Sequence, residues 1–200
     1  MDSKALYLLL CGWLSKTYLS EEVLEYDESI FNAGLSEFHY DYRRWYPDDD
    51  SIDPHKLTLT PQLHAILTYR LARRWYVERK DERQASICSV LGRISGLTEI
   101  YYSASIGRGL KINHGIGCVI GARCVIGENC LLHQGVTIED RKGGRPTIGD
   151  RVTIYAGAMV LGKISIGDDC VIGANSVCLQ DAPPQSVLIG APAEILYGKE

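Results

Sequence analysis

The chain has 200 residues, 46% hydrophobic and 23% charged, an ordinary globular composition long enough for one large domain or two small ones. Its net charge of -4 offers no global attraction to nucleic acid or to an anionic membrane surface, and no apolar run is long enough to span a bilayer. The seven cysteines include no CxxC pair, so a reducing, cytoplasmic setting is expected and no metal site is.

Residues 1–98 read as a helical N-terminal domain. The apolar stretch 5–14 is an amphipathic helix rather than a secretion signal, because no small-x-small cleavage site follows it and Asp2 stands where a signal is basic. Ser20, with Glu21 and Glu22 behind it, predicts a helix start with a hydroxyl cap and acids in the first turn. Residues 45–54, with Asp48, Asp49 and Asp50, read as a loop. Over 61–78, Leu63, Ile66, Leu67, Leu71 and Trp75 recur at helical spacing, and Pro61 suits a first turn. His64 lies on this helix and reads as structural or interfacial. A further helix is expected over 85–94.

From 99 to 200 the pattern changes. An aliphatic residue recurs every six positions at Ile100, Ile106 and Ile112. After a step of eight it resumes at Ile120, Ile126, Leu132 and Ile138. After a step of ten it returns at Ile148, Ile154, Val160, Ile166 and Ile172, with Cys178 in the same phase. A period of six is not that of an α-helix, whose apolar face repeats near 3.6. It fits a prism of short strands with one hexad per face and three per coil, each coil burying the next. The glycine after many of these aliphatics, as at Gly121 and Gly127, is expected to permit the corner. Cys124, Cys130 and Cys170 fall in a small-residue slot four positions after an inward aliphatic, so they read as packing groups.

The interruptions carry the chemical information, since rigid scaffolds place functional groups on their loops. The first, residues 113–118, puts His114 at a bend. The second, residues 139–147, is the polar run EDRKGGRPT, expected to project from the prism.

The segment 99–193 resembles the serine O-acetyltransferase branch of the hexapeptide acyltransferases. The likeness rests on IGRGLKINHGIGCVIGARCVIGENCLLHQGVTI, on the loop, and on PTIGDRVTIYAGAMVLGKISIGDDCVIGANSVCLQDAPPQSVLIGAPAEIL, with a weaker likeness around LHAILTYRLARRW. The resemblance implies a left-handed β-helix after a helical half, acetyl-CoA as cosubstrate without a metal, and a role in cysteine biosynthesis. It also implies homotrimers with sites between subunits, or pairs of trimers joined through the helical halves. His114 matches the family's general base. An alcohol is a poor nucleophile at neutral pH, and imidazole titrates in the range needed to activate it. Glu99 matches the carboxylate that orients that imidazole, usually Asp. Ala156 and Ala174 match turn residues along the coenzyme A groove, and Lys163 and Arg145 are candidates for its phosphates.

Two departures bear on the acceptor. Asn113 replaces an Asp that binds the serine amino group, and Gly144-Arg145 stands where the family carries an Arg-His pair for the serine carboxylate. One of Asp48, Asp49, Asp50 or Asp53 is a candidate for a further family Asp from the helical half. The resemblance thus implies transfer to serine or a serine-like small molecule, with a sugar hydroxyl as the alternative. A β-helical metal hydratase needs three histidines, whereas the repeat region has only His114 and His133. A non-catalytic scaffold would leave His114 and Glu99 unexplained. His133 directly follows inward Leu132, is not required by the motif, and reads as structural or surface.

Overall fold

Acidic caps define the helical half. In the computed structural model, which describes residues 1–196, Asp2, Asp27, Asp53 and Asp81 each accept a backbone N–H at a helix start. The helices they open are α1 (Ser3–Leu14), α2 (Glu28–Arg43), α3 (Pro54–Thr58) and, after α4 (Pro61–Arg74), α5 (Glu82–Gly96). A π turn, Trp75–Arg79, prolongs α4, so the helix expected over 61–78 forms. The helix expected over 85–94 forms within α5, and the 45–54 loop ends where Pro54 starts α3. Small residues let α4 and α5 cross closely: a Cβ on Gly92 would lie 2.0 Å from Thr68 Oγ1, and one on Gly96 would lie 2.8 Å from Pro61 O. The interior also holds a bidentate ion pair, Arg70 Nε and Nη2 to Asp41 at 2.8 and 2.9 Å. His64 is buried, stacks on Trp13 with centroids 4.1 Å apart, and bonds the Leu57 carbonyl.

Ser20 does not start a helix. Residues 22–27 run as irregular chain, and α2 begins only at Glu28. The side-chain amide of Gln84 donates to Val23 O and accepts from Glu25 N, a pairing that holds this segment out of helical form. Asp27 then supplies the cap, accepting from Ser29 N and Ile30 N.

Contact density divides the chain after Tyr102, so Glu99 belongs to the first unit. The second is a three-faced parallel β-helix. One face carries Ile106, Ile126, Ile148 and Ile166; the next carries Ile112, Leu132, Ile154 and Ile172; the third carries Ile120, Ile138, Val160 and Cys178. All of these side chains are buried, as the six-residue period predicts. Where no insertion intervenes, strands pair eighteen residues apart, as Thr153 does with Val171, which is three hexads per coil. The step of eight stretches one coil to twenty, Ser105 to Val125, and the step of ten stretches the next to twenty-two, Val125 to Thr147. The antiparallel pair Val187–Gly190 and Ala193–Leu196 closes the middle face. Among the described residues no helix is long and apolar enough to cross a membrane.

The corners work differently from the expectation. Gly127 and Gly149, which follow inward aliphatics, do not have positive φ. They are small because the next coil lies against them: a Cβ on Gly127 would sit 2.6 Å from the Gly149 carbonyl carbon, and one on Gly149 would sit 2.8 Å from Asp168 N. The left-handed residue comes two positions later, as at Arg123, Asn129, Arg151, Asp169 and Asn175. The small-slot cysteines are buried and face carbonyls, Cys130 Sγ lying 3.2 Å from Gly149 O and Cys170 Sγ 3.1 Å from Pro183 O. Burial pushes the Cys124 and Cys178 thiols up to about 11, so both stay protonated.

Candidate active site

The edge between the middle and third faces holds His114. Three later coils round this edge with four residues each: 133–136, 155–158 and 173–176. The first uses six, 113–118. Hydrogen bonds locate the extra pair. Asn113 N donates to Leu132 O, as His133 N does to Ile154 O, so Asn113 and His133 are in register. Gly135 N donates to Ile116 O, as Gly157 N does to Gln134 O, so Ile116 and Gln134 are in register. His114 and Gly115 are therefore the insertion, and they bulge from the edge.

The bulge is strained. His114 and Gly115 have φ of 64° and 60°. Each is spanned by an i to i+2 hydrogen bond, Gly115 N to Asn113 O at 2.8 Å and Ile116 N to His114 O at 2.7 Å. These are two consecutive γ-turns of the rare positive-φ kind. Non-glycine residues in such conformations concentrate at functional sites. The result is an exposed imidazole.

Two columns of residues climb from this bulge. One is Asn113, His133, Tyr155, Gly173, each following an inward residue of the middle face and so pointing outward. In it the His133 and Tyr155 rings stack, with centroids 4.9 Å apart and planes at 21°. Burial and the adjacent His114 both push the His133 imidazole below its ordinary pKa, favouring its neutral form. The other column is Ile116, Gln134, Ala156, Ala174, linked by backbone bonds from Gly135, Gly157 and Asn175. It ends in small residues, Ala156 half-buried and Ala174 exposed. His114, Asn113, Ala156 and Ala174 thus share one edge.

Arg145 and Lys163 do not share it. Both lie on the edge between the third face and the first. The loop 139–147 folds into a tight hairpin with an exposed tip, Arg141 and Gly144 exchanging backbone bonds around left-handed Lys142 and Gly143. Gly144 rests directly on the next coil, where a Cβ would lie 2.6 Å from Lys163 N. Arg145 ties the hairpin down, donating from Nε to Ala122 O at 2.9 Å and from Nη1 to Gly143 O at 3.1 Å, with Asp140 3.4 Å from Nη2. Lys163 is exposed.

Within the helical unit, Glu99 is half-exposed and 3.6 Å from Arg93, beside a shallow pocket lined by Ser86, Ser89, Tyr101 and Tyr102. Asp49 is held by Lys56 Nζ and the Tyr42 hydroxyl, each at 2.7 Å, and Asp53 caps α3. Asp48 and Asp50 are exposed. Among the described residues no three His, Cys, Asp or Glu side chains gather as a metal site. The stacking of His133 on Tyr155 is not anticipated by the sequence reading, which takes His133 as structural or surface. Their pairing is visible there only once both insertions are located and hexads three apart are stacked.

Comparison with known proteins matches this architecture. Residues 145–180 match the family described as bacterial transferase hexapeptide (six repeats), and residues 117–141 match the hexapeptide repeat of succinyl-transferase. A serine acetyltransferase of Helicobacter pylori (strain J99) is 45% identical over 144 residues, covering 70% of this chain and 84% of that one. Among solved structures, soybean serine acetyltransferase complexed with serine aligns with a TM-score of 0.79 at 28% identity, over 97% of this chain and 84% of that chain. A serine acetyltransferase in complex with CoA aligns with a TM-score of 0.75 at 28% identity, over 96% of this chain and 84% of that one.

Proposed function

Since the chain belongs to the serine acetyltransferase family, we propose that it moves the acetyl group of acetyl-CoA directly to the hydroxyl of serine or a serine-like small molecule, with His114 as general base. The observation that carries this reading is the strained two-residue bulge that presents an exposed imidazole at the foot of a strip of small residues. In the transfer, His114 takes the proton of the acceptor hydroxyl as its oxygen attacks the thioester carbonyl. The carbon–sulfur bond breaks, and the imidazolium returns its proton to the departing thiolate. Ala156 and Ala174, with Gly157 between them, give the pantetheine arm close access to backbone. Glu99 is the proposed carboxylate that orients the imidazole.

Arg145 and Lys163, on another edge of the prism, serve such a site only from a neighbouring copy. That separation supports a homotrimer, or two trimers joined through their helical halves, with Arg145 reaching the acceptor and Lys163 the phosphates of coenzyme A. Seven free cysteines accord with a cytoplasmic enzyme.

The test is acetyl-CoA-dependent thiol release with L-serine and other hydroxyl acceptors. His114→Ala is expected to cost about 10²–10⁴-fold in turnover without loss of fold. Near-normal turnover in the folded variant refutes the mechanism.

A further inference from the structure

Resting on that acetyl-transfer reading, we propose that His133, braced by Tyr155, binds the acceptor. With Asn113 it selects an acceptor that presents an uncharged, hydroxyl-bearing group to this end of the edge rather than a free ammonium.

Three observations converge on it. First, Asn113 and His133 occupy equivalent positions on adjacent coils, immediately beside the bulge that carries His114. Both side chains therefore flank the bulge on the same column of the edge. Second, His133 is fixed rather than free: its ring lies on Tyr155, and Tyr155 keeps an exposed face beside the edge. Gly173 ends the column, so the aromatic stack is a wall of two residues with open backbone above it. Third, the chemistry of the pair is neutral. The amide of Asn113 and a neutral imidazole each offer one kind of donor and one kind of acceptor, the complement of a hydroxyl group. Burial and the neighbouring His114 disfavour the charged form of His133. The eighteen edge residues that follow the middle face, 113–118, 133–136, 155–158 and 173–176, include no Asp or Glu to receive an ammonium.

Two kinds of molecule present this chemistry: a sugar ring, and a serine whose amino group is masked. The experiment compares kcat/KM of the full-length enzyme for L-serine, N-acetyl-L-serinamide and a series of methyl hexopyranosides, with acetyl-CoA saturating. The same acceptors are then used with His133→Ala, His133→Asn and Tyr155→Gly, each checked for an unchanged melting transition. At least one uncharged acceptor is expected to exceed L-serine by about tenfold, the scale of one well-placed hydrogen bond. His133→Ala should raise the KM of that acceptor by a similar factor and leave the KM of acetyl-CoA within about twofold. His133→Asn, which keeps a donor and an acceptor, should recover most of the loss. The preferred arm then identifies the source, sugar or masked serine. L-serine used as well as or better than every uncharged acceptor, or a KM indifferent to His133→Ala, overturns the inference while leaving acetyl transfer intact. No turnover with any acceptor overturns both.

Discussion

Asn113 and Ile116, three apart in the chain, stand in register with His133 and Gln134, which are consecutive. The intervening His114 and Gly115 are therefore surplus to the coil, and His114, a non-glycine residue at positive φ, stores backbone strain that the β-helix does not require. Removing both residues together should return the first coil to the four-residue edge of its neighbours. The melting temperature is expected to stay level or rise, while acetyl transfer is lost. A clear fall in melting temperature would show that the bulge is a structural element in its own right.

The proposed partner of that imidazole makes a separate prediction. Glu99→Gln should lower kcat with little change in the KM of acetyl-CoA, because the amide keeps its shape and loses its charge. Glu99 also lies 3.6 Å from Arg93, and that pair offers a purely local role on the helical unit. The two roles separate in Arg93→Ala. If Glu99 acts on His114, this variant retains kcat. If Arg93→Ala reproduces the Glu99→Gln defect, the role is local.

How far the sequence discloses the fold depends on how local each cause is. The inward residues from Ile106 to Cys178 were legible because one position in six must be apolar whatever surrounds it. Ser20 misled because the state of its segment is decided by Gln84, whose amide meets Glu25 across 59 residues. The buried pair of Arg70 and Asp41, 29 residues apart, was equally hidden, since each charge alone reads as a solvated helix position. The role of the repeat glycines was misread for a different reason. Spacing shows that a small residue is needed, but only the neighbouring coil shows that contact, not φ, is the cause. Within the site, His114 was visible as a break in the pattern. That Arg145 lies on a different edge follows from the order of faces, and it changes what Arg145 is able to do alone.

That separation predicts complementation between inactive copies. If His114 acts with Arg145 of a neighbouring subunit, His114→Ala and Arg145→Ala enzymes should each be impaired. Unfolded together and refolded as mixed trimers, they should regain activity, with about a quarter of sites receiving both intact residues in a random closed ring. Simple mixing of preformed oligomers is the control. Two impaired variants that never rescue one another after co-refolding would place Arg145 outside the shared site, leaving it the clamp on Ala122, Gly143 and Asp140.

The last prediction concerns charge at the acceptor. A zwitterionic amino acid carries an ammonium that binds best beside a carboxylate, a charge-assisted contact about twice as strong as a neutral hydrogen bond. At position 113 this chain offers an amide, and the next residue up the column, His133, is a group disfavoured from taking charge and unable to attract a cation when it does. Asn113→Asp restores an anion at that place without changing the side chain's size. It should raise kcat/KM for L-serine by about tenfold or more, because hydrogen bonds to charged groups contribute roughly 1.5–3 kcal/mol. The gain should be confined to acceptors with a free amino group; N-acetyl-L-serinamide should gain nothing, since it has no ammonium to meet the new carboxylate. The comparison is decisive because both acceptors present the same hydroxyl to the same base. An already high kcat/KM for L-serine in the unaltered enzyme, unchanged or lowered by Asn113→Asp, would mean that the ammonium is bound by another part of the assembly and that position 113 does not set the acceptor's charge.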